Sequence, residues 1–310
     1  MIEVRNLTRK YGPSVAVDAI SFTMKTGEVL GFLGPNGAGK TTTMKVITGY
    51  MPPSEGDVLI DGVDVTEDSV EVRRKIGYLP ENNPLYTDMT PLEYLTFCQR
   101  LRGIPRSEHR PRNDRMVAMC GLEEVLRKDI GELSKGYRQR VGLAQAMVHD
   151  PEILILDEPT VGLDPNQIVE IRALIKELGR AKTLILCTHI LSEVEAACDR
   201  VLIISKGKIV ADGTPDTLRA AASGHDRIHV EVRGPAHEVL DALKGLDGAA
   251  RVSTDGQSAG ASRFVIETAP AADLRESVFK LVRERGWVLL ELRRESVRLE
   301  DVFRQLTTQS

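Results

Sequence analysis

Nowhere does this sequence carry an apolar run long enough to cross a membrane. A spanning helix needs about 20 consecutive, mostly apolar residues, whereas stretches such as Ile153–Leu156 and Val201–Ile204 stop after about four. The opening segment, MIEVRNLTRKYG, alternates apolar and polar residues and lacks the apolar centre of a secretory leader. Cysteine is sparse: Cys98, Cys120, Cys187 and Cys198 form no CxxC pair and follow no metal-ligand spacing. These absences set the expectation of a cytosolic chain. Charge of one sign is also lacking, with a formal net charge of −4. No broad basic field exists to hold a phosphate backbone, so no nucleic-acid partner is expected. Heptads, tandem repeats and low-complexity tracts are missing too. Hydrophobic residues at 42% and charged residues at 28% are ordinary for a globular chain, which excludes disordered, collagen-like and disulfide-stapled classes. A length of 310 residues suggests about two domains.

The first 220 residues alternate strand and helix patterns. Short β-rich pieces lie at Met1–Leu7, Ile20–Met24 and Val58–Ile60, and fully apolar runs at Val29–Leu33, Ile153–Leu156, Thr183–Cys187 and Val201–Ser205. Such runs suit central strands covered on both faces. Helical patterns between them at Thr41–Thr48, Gln167–Leu178 and Ser192–Ala197 predict a parallel α/β core with a small antiparallel N-terminal sheet. From about 90 to 149 helices dominate. Thr90-Pro91-Leu92-Glu93 reads as a capped start. A second helix ends at Gly121, its beginning disturbed by Pro111, and a third runs from Ser134 to His149. Thr214-Pro215 starts one more helix, and Ala220–Gly224 reads as a linker. Residues 225–310 then follow the order βαββαβ plus a final helix, the ferredoxin-like α+β arrangement. With 13 basic against 14 acidic residues from 221 onward, this accessory domain is no basic arm. His225, His229 and His237 fit no common metal motif.

Gly34-Pro35-Asn36-Gly37-Ala38-Gly39-Lys40-Thr41 fits GxxxxGK[ST], after an apolar strand and at a helix start. Glycines let backbone N–H groups curl around phosphate oxygens, and the helix N-terminus adds free donors and its positive dipole end. Lys40 can reach the β/γ-phosphates and the Thr41 hydroxyl can ligate Mg²⁺, with Thr42 completing the nucleotide-binding set. Ile153-Leu154-Ile155-Leu156-Asp157-Glu158 places two carboxylates at a strand's C-terminal edge. Asp157 is assigned to Mg²⁺ and Glu158 to polarising the attacking water.

In this order the motifs resemble the nucleotide-binding subunit of ATP-binding-cassette (ABC) transporters over roughly residues 1–220: an α/β P-loop ATPase cassette with an antiparallel β subdomain and a helical insertion. The resemblance implies that Tyr11 stacks on adenine, that Leu133-Ser134-Lys135-Gly136-Tyr137 is the signature motif, that Gly162-Leu163-Asp164 is the D-loop and that His189 is the switch histidine. It also implies a homodimer sandwiching two ATP molecules with Mg²⁺, each site completed by Ser134 and Gly136 of the other copy. Two departures stand out. The glutamine-loop position after Ile76-Gly77-Tyr78-Leu79-Pro80 carries Glu81, whose carboxylate can still contact Mg²⁺, and the signature has Lys135 and Tyr137 where Gly and Gln are usual.

Tyr78-Leu79-Pro80-Glu81, Leu133–Arg140 and Leu299-Glu300-Asp301-Val302-Phe303 are similar to ATPases of ABC-2-type exporters, of the gliding-motility and multidrug kinds. The implied partner is a separately encoded integral-membrane permease, docking on Glu81–Leu95 through Tyr86, Met89 and Leu92, with the chain on the cytoplasmic face of the cell membrane. A soluble ABC ATPase acting on a macromolecular assembly is the alternative. Against it, one phosphate loop is present where ribosome-acting members resemble two fused cassettes, and no coiled coil separates Lys40 from Asp157.

Overall fold

The computed structural model describes residues 1–222, 226–258, 260–268, 272–295 and 299–308. Two strands open the chain, β1 (Ile2–Tyr11) and β2 (Ser14–Met24), followed by β3 (Val29–Leu33), α1 (Lys40–Ile47), β4 (Glu55–Ile60), β5 (Val63–Asp64), α2 (Ser69–Lys75) and β6 (Ile76–Leu79). Three helices follow: α3 (Pro91–Leu101), α4 (Arg106–Cys120) and α5 (Lys135–Met147). Next come β7 (Ile153–Asp157), α6 (Pro165–Gly179), β8 (Thr183–Thr188), α7 (Leu191–Ala197), β9 (Arg200–Ser205), β10 (Lys208–Gly213) and α8 (Pro215–Ala222). The remaining elements are β11 (Asp226–Arg233), α9 (Ala236–Lys244), β12 (Ala249–Ser258), β13 (Ala261–Thr268), α10 (Arg275–Glu284), β14 (Val288–Glu295) and α11 (Leu299–Thr308). They divide into two compact units, Met1–Pro215 with the end of α11, and Asp216–Gln305.

In the first unit, β3, β7 and β8 are buried at every residue, as their uninterrupted apolar sequences demand. They belong to a six-stranded sheet ordered β10-β9-β3-β8-β7-β6, parallel except for the β9–β10 hairpin. A second sheet, β2-β1-β4-β5, is antiparallel. One core cluster joins the two, with Ile2, Val4 and Val58 from the small sheet, Met44 and Ile47 from α1, and Phe32, Ile155 and Leu202 from the large one. Phe22 and Phe32 meet there at 5.9 Å between ring centroids. On the other face of the large sheet α7 packs so closely that a Cβ on Gly31 would lie 2.7 Å from Val194.

The helical stretch begins as expected. Thr90 and Glu93 form a reciprocal capping box at α3. As expected, α4 ends at Gly121, whose φ of 60° few other residues tolerate; contrary to expectation, Pro111 lies inside the helix rather than disturbing its start. Pro111 lies beyond the first turn, so its ring removes the backbone bond to the Ser107 carbonyl, and α4 continues past that loss.

In the second unit the strands are all antiparallel in the order β12-β13-β11-β14. Helices α9 and α10 contribute Val239, Leu243, Val278 and Val282 to a core with Val230, Phe264 and Ile266. On the strands, residues facing away from that core are charged: His229 contacts Glu295 at 2.6 Å and Arg263 contacts Glu231 at 3.1 Å. His237 pairs with Asp241 on α9, while His225 and most of the expected linker lie outside the described residues.

His149, between α5 and β7, donates from Nε2 to the Ile76 carbonyl at 3.1 Å, and its buried Nδ1 has no partner among the described residues. Burial, helped by the nearby Arg102 charge, pushes this imidazole down to about 4. A folded value below the unfolded one means stability is intact above the unfolded value near 6.5 and is lost as pH falls toward 4. We expect acidification from pH 7 to pH 5 to cost about 1–2 kcal/mol through this group. In His149→Gln, which keeps the donor to Ile76, denaturant titrations at the two pH values should show a correspondingly flatter dependence. An unchanged pH slope would contradict the assignment.

Candidate functional site

The strand order brings together residues far apart in sequence. At neighbouring C-terminal ends lie Gly34 after β3, Thr188 and His189 at β8, and Asp157 with Glu158 at β7. From β3 the chain turns through Gly34 and Gly39 into α1. A Cβ on Gly34 would lie 2.5 Å from the Ile204 carbonyl oxygen, and one on Gly39, at φ 107°, 2.5 Å from the Ala16 oxygen. Both positions therefore require glycine. No side chain caps α1, which leaves the first-turn N–H groups free for an anion. A cavity of about 290 Å³ opens there, lined by Asn36, Gly37, Lys40, Thr41 and Thr42, with Glu81 and Glu158 on its wall.

Lys40 is buried. Its ammonium donates to the carbonyls of Gly34 at 2.8 Å and Pro35 at 3.3 Å, and lies 3.5 Å from Glu158 Oε1. Glu158 has φ 51°, a left-handed backbone that a residue with a Cβ adopts at a cost of about 1–2 kcal/mol. Its N–H is tied to the Cys187 carbonyl at 2.8 Å. His189 Nδ1 is 2.9 Å from both Glu158 oxygens, and the imidazole is partly open to solvent.

Asp157 is fully buried, and neither of its carboxylate oxygens has a hydrogen-bond partner among the described residues. Burial pushes its carboxyl up, opposed by the neighbouring Cys187 and Thr41 and reinforced by Glu158 and Glu81. Two orphaned carboxylate oxygens beside a threonine hydroxyl at a phosphate-sized cavity are a fitting donor set for a hard divalent cation sharing its shell with phosphate and water.

Residues 17–161 match the ABC transporter family model. The chain is 42% identical over 213 residues to the uncharacterized ABC transporter ATP-binding protein YhcH of Bacillus subtilis, covering 68% of each. It is 35% identical over 312 residues, 99% of this chain and 96% of the other, to the Nod factor export ATP-binding protein I of Burkholderia orbicola. The chain belongs to the ABC transporter ATP-binding family. Among solved structures it resembles the dimeric post-hydrolysis state of the cassette MJ0796 bound to ADP and Pi, with a TM-score of 0.64 and 28% identity, covering 69% of this chain and 98% of that one. This ABC cassette is an ATP-binding ATPase.

Its remaining motif residues lie apart from the phosphate cavity. Ser134 is the N-cap of α5, accepting from the Tyr137 N–H at 3.3 Å. Gly136 is buried against the Gln167 side chain on α6, where a Cβ would lie 2.5 Å away. Lys135 extends its stem over Gly162, and Tyr137 donates to Glu124 at 3.4 Å. Neither of the two unusual signature residues displaces Ser134 from the N-cap of α5. Tyr11 is half exposed at the end of β1, with the Arg9 guanidinium 5.1 Å from its ring centroid and its hydroxyl on Met51 Sδ. Of the proposed docking residues, Tyr86 is exposed yet packs against Phe97 at 5.3 Å, while Met89 and Leu92 line a separate hollow of about 520 Å³.

Sequence reading missed Thr160, Thr188, Arg172 and the buried Glu193, which form one group behind Glu158, the threonines hydrogen-bonded to Glu193 and Arg172 ion-paired with it. No spacing marks them.

For Lys40→Ala we expect ATP affinity to fall at least about 10–100-fold, the worth of one to two charge-assisted hydrogen bonds. Calorimetric titration of ATP checks this; unchanged affinity would show that the ammonium does not serve the phosphates.

Proposed function

We propose that this chain is the ATP-hydrolysing subunit of an ABC-2-type exporter whose membrane part is a separate polypeptide, and that it acts as a homodimer closing over two ATP molecules. One observation carries the catalytic part: a buried carboxylate, Glu158, held by His189 and facing the same cavity as the free N–H groups of α1. Glu158 takes the proton of the attacking water, and its left-handed backbone aims it there. His189 keeps that carboxylate in place, and Lys40 with the Gly34–Thr42 backbone holds the β/γ-phosphates. Thr41, Asp157 and Glu81 hold Mg²⁺, which when bound neutralises phosphate charge. Ser134 and Gly136, at the N-terminus of α5, supply donors to the γ-phosphate in the other copy, and Tyr11 stacks on the adenine.

Export is supported by the relatives: one is named for Nod factor export over nearly the full length of both chains, another for linearmycin resistance. By its likeness to transporter subunits we place the chain at the cytoplasmic face, against a permease; no helix among the described residues is long and apolar enough to cross a membrane. For the seat of that permease, we extend the Glu81–Leu95 segment to a neighbouring cleft of about 560 Å³. Exposed Tyr50, Val70 and Leu101 give it apolar walls, and Arg73, Arg74 and Arg102 line it without an acidic residue. An amphipathic segment carrying carboxylates fits such a surface. We read the ATP-binding cassette as residues 1–220, with its helical insertion at about 90–149, and the accessory domain as residues 225–310. The latter is ferredoxin-like, a reading supported by its β12-β13-β11-β14 order and βαββαβ sequence.

Glu158→Gln should keep ATP binding, slow turnover by about 10²–10⁴-fold and accumulate an ATP-bound dimer measurable by light scattering; full turnover would sink the assignment. Arg74→Glu combined with Leu101→Glu should abolish co-purification with the co-expressed membrane subunit while hydrolysis by the isolated chain stays unchanged. Retained co-purification would move the docking surface elsewhere.

A further inference from the structure

Behind the Glu158–His189 pair lies a second buried carboxylate that nothing in the phosphate site requires. Glu193, on α7, is 1% exposed. Burying a carboxylate costs several kcal/mol unless it is well partnered, and here three elements supply the donors. Thr160, in the turn after β7, donates its hydroxyl to Glu193 Oε1. Thr188, the last residue of β8, donates to Oε2 at 3.0 Å. From α6, the Arg172 guanidinium lies 3.6 Å from Oε1 and also donates to Ser192 at 3.0 Å.

Thr188 stands between the two carboxylates. Its oxygen is 3.0 Å from Glu193 and 3.5 Å from Glu158 Oε2, and it accepts from the Ile190 N–H at 3.1 Å. A hydroxyl has one proton to give, and the shorter contact takes it. Glu193 therefore turns the Thr188 hydroxyl away from Glu158, which is left with His189 and Lys40 as its close donors. Without Glu193, or without the Thr188 hydroxyl itself, the link from α7 through Thr188 to the Ile190 N–H is lost, and the segment that carries His189 is no longer braced against Glu158. Thr160, two residues beyond Glu158, is fixed by the same carboxylate, so the turn that carries Glu158 is held from both sides.

We propose that Glu193 is a positioning residue for ATP hydrolysis, which orients Thr188 and Thr160 so that Glu158 stays aimed at the phosphate cavity, and which ties this geometry to α6 through Arg172. The inference rests on Glu158 being the base. Misplacement of a reacting group by a fraction of an ångström costs turnover and not substrate binding.

The test is steady-state hydrolysis by full-length Glu193→Gln, Thr188→Val and the double variant, alongside Glu158→Gln. An amide at 193 cannot accept on both sides, so Glu193→Gln should lower kcat about tenfold with KM and the affinity for a non-hydrolysable ATP analogue within about twofold. Thr188→Val should give a similar loss, and the double variant should be no slower than the slower single, because both act through one hydroxyl. Full kcat in Glu193→Gln, or losses that multiply in the double variant, would overturn the role. If Glu193→Gln does not fold, Thr188→Val decides: a tenfold lower kcat at constant KM supports the role and full kcat overturns it. Full turnover in Glu158→Gln would instead reject the base on which the inference rests.

Discussion

An ammonium group buried between backbone carbonyls and a carboxylate is the interaction on which the rest of this structure depends. Lys40 sits out of water with the Gly34 carbonyl at 2.8 Å and Glu158 at 3.5 Å. In such surroundings charges interact strongly and cannot be left unmatched. The Lys40–Glu158 pair offsets itself only in part, and the neighbouring Asp157 oxygens have no partner among the described residues. We read the cluster as one that an anion and a cation complete. The fold holds it there with three adjacent parallel strands, buried on both faces, whose ends deliver Lys40, Glu158 and His189 to one place.

That dependence explains two costs elsewhere. Glycine is required at 34 and 39 because the loop passes against the Ile204 and Ala16 carbonyls, so no larger residue lets the N–H groups curl inward. Glu158 carries a left-handed backbone because the chain must reverse immediately after a buried strand while keeping its N–H on Cys187. Local strain at such a position is sustained by the surrounding ladder and helices. The second unit follows a simpler rule, with an apolar sheet face under α9 and α10 and charge on the other face of its strands.

Most of the large-scale plan was legible in the sequence because it rests on local signals. Apolar runs marked β3, β7, β8 and β9 to within a residue, and Thr90 with Glu93 marked the start of α3. The phosphate loop was readable because its chemistry needs fixed residue types at fixed spacing. Short amphipathic pieces such as α2 and β10 went unread, lacking a full period of pattern. Pro111 misled, since α4 continues through the one backbone bond that its ring removes. Glu193 was invisible for another reason: a charged residue on a short helix reads as solvent-facing, and only the tertiary meeting of Thr160, Thr188 and Arg172 makes its burial tolerable.

The central claim is that the site is a charge cluster completed by a metal-bound nucleotide, with Asp157 as the residue that couples the cation to the phosphates. The most direct measurement is the affinity for a non-hydrolysable ATP analogue, determined calorimetrically with Mg²⁺ and with a chelator, in the wild-type chain and in Asp157→Asn. The account predicts that Mg²⁺ strengthens binding by the wild type at least about tenfold and that most of this gain disappears in Asp157→Asn. An equal Mg²⁺-dependent gain in both proteins would contradict it.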